Sequence, residues 1–361
     1  MVRASIFENG ELRVGEVLLP ELRSEQIRVA PFATGICGSD LSAWEHTEDF
    51  LTSGLEAGAN GSRFDPKRPV VFGHEFTGRV IEVGSEVTEF AVGDVLFVLP
   101  WVIDDKDTVC TVGYTNDYPG ALAEEVIVHG AGHIKLDDDI DPYLATVLEA
   151  IATGTNGAMR TEIPEGHGAI VTGVGPVGLG SVIELATRGA YPIVASDPSP
   201  TRREIALEYG ATHAVDPRAE DPVDVWRQHA PEGSRLHVVE ASGAPGVLPR
   251  LINAAPMYSV FSVVGANTRP EEWRTMSAIN KNASVYFVTG PWYGETRYEA
   301  LWRAYEHLRE KRFDPARMIT GYCGIEGTEA AFRALRPESG AIEHMKLIVR
   351  HDRDSAEVIA T

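Results

Sequence analysis

Four residues have the chemistry to hold a metal ion: Cys37 in TGICGSD, His74 and Glu75 in GHEFTG, and Glu149 in TVLEAIATG. A catalytic zinc takes three protein ligands drawn from Cys, His and carboxylate, and keeps a fourth position for water or substrate. Cys37 and His74 supply two, and the third is either Glu75 or Glu149. Glu149 stands in an otherwise apolar segment, where an unpaired charge is costly and a metal would relieve the cost. Each residue alone has a plainer reading, Cys37 as a small buried hydrophobe and His74 as a hydrogen-bonded core or loop histidine. Only their coincidence points to a metal.

A second group of residues suits a dinucleotide. GVGPVGLG, residues 173–180, follows the apolar AIVT and opens the helix-like SVIELATRGA. Gly173 permits a tight turn, Gly175 lets backbone approach a pyrophosphate, and Gly178 allows helix to pack on strand; Pro176 and Val177 fill the positions between. The free N–H groups of the helix start then face the anion. Asp197 ends the next apolar run, PIVASD, where a carboxylate accepts both ribose hydroxyls and repels a 2′-phosphate, favouring NAD over NADP. Arg202 and Arg203, just downstream, are placed for a 2′-phosphate and keep NADP as the second choice.

The elements that must carry these groups change character along the chain. Residues 1–153 hold short Val-rich runs broken by Gly and Asp, such as FAVGDVLFVLP, which predict an irregular antiparallel barrel or sandwich. Residues 154–290 alternate apolar strands with helical patterns (GAIVTGV, GLGSVIELATRG, PIVASD, LHVVEAS, YSVFSVVGA), predicting a doubly wound parallel sheet covered by helices. Residues 291–361 contain a helical stretch, TRYEALWRAYEHLREKR, and a final strand, HMKLIVRH, expected to return to the first domain. Residues 47–69, rich in Gly, Ser, Asp and Pro, read as a long loop.

These motifs together resemble a zinc-dependent medium-chain dehydrogenase/reductase, the alcohol and polyol dehydrogenase family. GHEFTGRVIEVGSEV fits the family's zinc signature G-H-E-x-x-G-x-x-x-x-x-G-x-x-V at every fixed position, and GICGSD, AVGDVLF, GALAEEVIV and GVGPVGLG recur in the family's order. The resemblance implies an α/β protein with a GroES-like catalytic domain, an inserted Rossmann domain and an active site in the cleft between them. It also implies hydride transfer and a homodimer or homotetramer. It matches Cys37 and His74 to the first two zinc ligands and Glu149 to the third, with Glu75 a ligand or an exchanging neighbour. Asp40 matches an acid that orients the histidine, Ser39 a hydroxyl that passes on the alcohol proton, and Thr153 a residue packed against the nicotinamide. The four closely spaced cysteines of a second, structural zinc are absent, Cys110 being the sole thiol in that region, so one zinc per subunit is expected. Ser42 stands where several relatives continue the proton path with histidine.

The bulk composition is consistent with this reading. At 361 residues, 43% hydrophobic and 24% charged, the chain is an ordinary two-domain globular protein. Its net charge of −21 excludes nucleic acid and anionic membranes as natural partners. No apolar run reaches a membrane span and the N-terminus lacks a targeting pattern, so a cytoplasmic protein is expected. Three widely spaced cysteines do not make a disulfide framework. The expected activity is zinc-dependent, NAD-linked oxidation of a secondary alcohol, with a small-molecule alcohol or ketone as the partner. Glutamate ligands favour a polyol or sugar, while Trp44, Phe50, Phe64 and Trp101, close in sequence to the zinc motifs, suggest an apolar pocket for a cyclic or terpenoid alcohol. The rivals are a zinc-free NAD(P)H-dependent reductase of the same fold and a non-catalytic nucleotide-binding protein.

Overall fold

The computed structural model describes residues 1–59, 61–267, 270–289, 296–336 and 344–361. The chain divides into two compact units, Met1–Val147 with Met318–Thr361, and Leu148–Arg317. The expected switch after residue 153 falls inside the helix Leu148–Met159, and the one at 290/291 lies outside the described residues. The helix Thr296–Arg309 packs against Leu148–Met159, which makes it part of the second unit.

The first unit is built around the long strand Gln26–Gly35. It pairs antiparallel with Glu75–Val83 on one side and Lys346–Arg350 on the other, and its first half also pairs with Val126–His129. Val95–Val98 and Ile134–Lys135 extend the sheet beyond Glu75–Val83, and Ile319–Cys323 and Ile359–Ala360 extend it beyond Lys346–Arg350. Side chains alternating inward from these strands, among them Ile27, Val29, Phe76, Val80, Leu96 and Val128, form one core.

The expected loop at residues 47–69 is corrected in part: Thr47–Glu56 is a helix. Glu48 and Asp49 sit in its first turn, where the helix dipole favours acids, and Phe50 and Leu51 pack against the core. The helix accommodates Ser53 and Gly54, and a turn follows at Ala57 and Gly58. Residues 61–69 are tied down at the backbone: Thr111 N donates to Gly61 O (2.9 Å), and the Asn116 amide bridges Asp65 and Pro69.

His133, 4% exposed, shows how tightly the first core is wired. Its Nδ1 accepts from Leu99 N (3.0 Å) and its Nε2–H donates to His129 O (2.7 Å), so the neutral ring satisfies both partners. Burial pushes its pKa from 6.5 down to about 4. The unfolded chain therefore binds the proton first as pH falls. The stability due to this ring is complete above pH 6.5 and is lost toward pH 4, by up to about 1.4 kcal/mol per pH unit. Urea midpoints should drop between pH 7 and pH 5, and His133→Asn should shrink that difference; an unchanged difference would refute the assignment.

The second unit carries six parallel strands in the order His213–Val215, Ile193–Ser196, Ala169–Thr172, His237–Glu240, Val260–Val263, Ser284–Phe287. In chain order this is 3-2-1-4-5-6, the doubly wound dinucleotide arrangement. The strand order reverses beside Ala169–Thr172, whose C-terminal end leads into the glycine turn.

Candidate metal centre and dinucleotide turn

Strand register brings the metal-type residues together. Gly35 pairs with Glu75 and with Ile348, so continuing both ladders sets Cys37 opposite residue 73 on one side and Lys346 on the other. Cys37 then caps the helix Gly38–Glu45. Gly73 has φ +99, a left-handed conformation that turns the chain so that His74 leads into Glu75–Val83; a Cβ there would also lie 2.8 Å from Leu122 N. As a result, ligand atoms of Cys37, His74 and Glu75 all lie within 4.8 Å of one another.

The surroundings hold these groups in place. His74 Nδ1 lies 3.2 Å from Asp40 Oδ1, close enough for charge attraction though off the line of a hydrogen bond, which leaves Nε2 for a ligand. Asp40 is fully buried; its Oδ2 accepts from Cys37 N (3.1 Å) and its Oδ1 from Tyr114 Oη (2.9 Å). Burial would raise the Asp40 carboxyl, but His74 and these donors bring it below the usual range. Burial would likewise lower His74, yet Asp40 and Cys37 lift it well above its usual value. Burial and the Glu75 charge push the Cys37 thiol up against the pull of His74 and Lys346. A bound cation reverses this balance, because it stabilises thiolate and neutral imidazole together.

Two residues at this site carried no signal in the motif reading. Lys346, 4% exposed, ion-pairs with Glu75 Oε2 and donates to Ile36 O (3.2 Å). Its only mark in the sequence is a charge within the apolar strand MKLIV, the same kind of mark that singled out Glu149. Tyr114 comes from GYTNDYPG, which has no distinguishing pattern; its Oη is 2.9 Å from Ser39 Oγ and its ring centroid 5.2 Å from that of His74. Burial and the Asp40 charge raise the Tyr114 pKa well above 10.0, so it keeps its proton.

The donor set suits zinc: one sulfur, one imidazole nitrogen and one carboxylate, with Glu75 Oε1 buried and lacking a hydrogen-bond partner among the described residues. Glu149 lies in the second unit, in the first turn of the helix Leu148–Met159, where its Oε1 accepts from Thr153 Oγ1 (3.2 Å). Of the four aromatics near the zinc motifs, Trp44 and Phe64 are core residues, packed on Phe332 and Phe72, and Trp101 stacks on His129 at 4.0 Å. Only Phe50, half-buried and 5.2 Å from Tyr114, stays beside the site.

In the second unit, Gly173 has φ +75, and a Cβ on Gly178 would lie 2.0 Å from Gly173 O, so the turn admits only glycine at both positions. Gly175 caps the helix Pro176–Thr187, with Pro176 in its first turn followed by Val177. Asp197 Oδ2 accepts from Val174 N and Oδ1 from Ser199 N, both at 2.9 Å, and each oxygen retains a lone pair for a further donor. Arg203 is committed to Asp197 O (2.6 Å), while an Arg202 guanidinium nitrogen lies 3.7 Å from the Cβ position of Gly175.

A β-rich unit with a clustered Cys, His and Glu, interrupted by a 3-2-1-4-5-6 parallel sheet, is the architecture of a two-domain dehydrogenase. Family models match in the same order, an alcohol dehydrogenase GroES-like domain over residues 23–138 and a zinc-binding dehydrogenase domain over residues 176–307. The chain belongs to the zinc-dependent medium-chain alcohol/polyol dehydrogenase family and is an oxidoreductase. Sorbitol dehydrogenase of Gallus gallus is 31% identical over 348 residues, 92% of each chain. L-threonine 3-dehydrogenase of Thermococcus kodakarensis is 29% identical over 335 residues, 89% of this chain and 90% of that one. Galactitol-1-phosphate dehydrogenase from Escherichia coli has the same fold, with a TM-score of 0.80 at 20% identity over 96% of this chain and 99% of its own. No described helix is long and apolar enough to cross a membrane.

Proposed function

We propose that the protein oxidises a secondary alcohol to the ketone with NAD, using one zinc held by Cys37, His74 and a glutamate. The observation that carries this reading is the convergence of Cys37, His74 and Glu75 within 4.8 Å beside a buried Asp40. When bound, zinc supplies Lewis acidity toward the alcohol oxygen, and the nicotinamide accepts the hydride.

The protein's own groups orient the substrate and carry the proton. Tyr114 has one proton to give, and the ionised Asp40 can only accept it. Ser39 Oγ, 2.9 Å from Tyr114 Oη, is therefore set to donate to that oxygen, leaving its own lone pairs to accept from a substrate hydroxyl. Asp40 thus both attracts the His74 ring by its charge and terminates the Ser39–Tyr114 hydroxyl chain. Glu75 is the resting carboxylate in this reading, restrained by Lys346, and Glu149 is its alternative.

For the substrate, commitment of Trp44, Phe64 and Trp101 to packing weakens the case for a cyclic or terpenoid alcohol and favours a polyol or sugar. The acceptor pair on Asp197 and the tethering of Arg203 support NAD over NADP. A homodimer or homotetramer belongs to the same reading, supported by Phe287, 75% exposed on the edge strand Ser284–Phe287.

A panel of polyols, sugars and cyclic alcohols followed by NADH absorbance, with NADP in parallel and zinc measured on the same protein, tests the proposal. Polyol turnover with NAD and close to one zinc per chain is expected. Turnover without zinc would sink the metal assignment, and preference for NADP would sink the reading of Asp197.

A further inference from the structure

The second unit has a cavity of about 410 Å³ on the sheet edge opposite the glycine turn. Parallel strands place all their N-terminal ends on that edge. His237, Val260 and Ser284 stand in one register row across three neighbouring strands, so their side chains leave the sheet on one face, and Tyr286 follows two positions along. The segment after the helix Leu148–Met159 adds Arg160, Glu162 and His167 to the wall, and the turn before His237 adds Arg235.

Two properties of this wall define a ligand. The first is charge: two guanidiniums face a single carboxylate, Glu162, in a chain whose net charge is −21. Arg160 and Arg235 are exposed, and the Arg160 guanidinium is steadied over the Tyr286 ring at 5.4 Å without being neutralised. The second is a hydrogen-bond acceptor without a donor. His237 is 3% exposed; its Nδ1–H donates to Thr161 O (3.0 Å), which fixes the tautomer and makes Nε2 the acceptor. Nε2 has no hydrogen-bond partner among the described residues, a costly state for a buried polar atom. Burial, with the nearby His167 and Arg235, pushes the ring's pKa down to about 4, so it stays an acceptor at neutral pH.

We propose that this cavity binds an oxyanion that carries its own O–H donor, namely hydrogen phosphate or a small hydroxylated phosphate ester, with the anionic oxygens on Arg160 and Arg235 and the O–H on His237 Nε2. Sulfate is the diagnostic competitor. It has the size and charge of hydrogen phosphate but no proton at neutral pH, so it would leave Nε2 unpaired.

Calorimetric titrations of the full chain with inorganic phosphate, sulfate and glycerol phosphate at matched ionic strength test the proposal. Phosphate should bind saturably and sulfate about tenfold or more weakly, the cost of one unpaired buried acceptor. Tighter binding of glycerol phosphate than of inorganic phosphate would assign the site to an ester, and the reverse to the free ion; either supports the proposal. Arg160→Ala with Arg235→Ala removes exposed groups and leaves the fold intact, and should abolish saturable binding. His237→Phe should make phosphate and sulfate equivalent. Absence of saturable phosphate binding, equal affinity for sulfate in the unaltered protein, or phosphate binding that survives the double arginine variant would each overturn it.

Discussion

Cys37→Ser should reduce alcohol turnover by about a thousandfold or more, because losing a Lewis acid worth several kcal/mol removes at least that factor. NADH affinity should remain within about twofold, since in the proposed reading the cofactor is held by the glycine turn and Asp197 rather than by residue 37. Serine is a good choice for this test. It preserves the cap of the helix Gly38–Glu45, so loss of activity is not loss of fold, while its hydroxyl does not ionise as a thiolate ligand must. Turnover by NADH absorbance, NADH binding by fluorescence and zinc content read the three consequences separately. Turnover near that of the unaltered protein would eliminate Cys37 as a ligand. Loss of NADH binding alongside turnover would mean that the substitution acts through folding.

Lys346→Met should lower stability by about 3–5 kcal/mol, the usual cost of removing one partner of a buried ion pair. Both charges are almost completely buried, Lys346 at 4% and Glu75 at 1% exposure, so in zinc-free protein, on which this loss is to be measured, the remaining carboxylate would face neither water nor a cation. Thermal unfolding should shift down by more than about 6 °C. Adding Glu75→Gln should recover much of the loss, because the orphaned charge disappears with it. A melting temperature within about one degree of the unaltered protein would show that the pair contributes nothing net. The same variant tests the restraint on Glu75: without Lys346, the carboxylate should bind zinc more strongly, measured by competition with a chelator.

The sequence disclosed the chemistry of the centre better than its supports. Cys37, His74 and a choice of Glu75 or Glu149 stood out in the sequence as a candidate metal group because such ligands must be of a few types, and the structure clusters Cys37, His74 and Glu75; the glycine turn stood out because Gly173 and Gly178 tolerate no side chain. A doubly wound parallel sheet was legible in the alternation of apolar strands and helices, while its 3-2-1-4-5-6 order came from the structure. Tyr114 was not legible, since its role depends on where a turn far along the chain places one hydroxyl, and no spacing rule encodes that. Lys346 was hidden for a related reason. Its partner stands 271 positions away, and only the pairing of Lys346–Arg350 with Gln26–Gly35 joins them. Thr47–Glu56 was misread because turn residues downstream masked a helix anchored by Phe50 and Leu51. Trp44, Phe64 and Trp101 lie near the zinc motifs in sequence, but strand geometry sends them into packing.

The register that sets Lys346 against Cys37 also bears on how the protein is made. Because the first unit is interrupted by the second, a ribosome delivers Cys37, His74 and Glu75 well before the strand Lys346–Arg350. During that interval the Ala33–Gly35 end of the strand Gln26–Gly35 lacks its Lys346–Arg350 neighbour, and Glu75 lacks the cation that will later restrain it. At this stage Cys37, His74 and Glu75 are all synthesised, but the ammonium group that neutralises Glu75 is not. Emergence of the strand Lys346–Arg350 supplies that neighbour and brings the Lys346 ammonium group to Glu75, so the buried ion pair forms only when the chain is nearly complete.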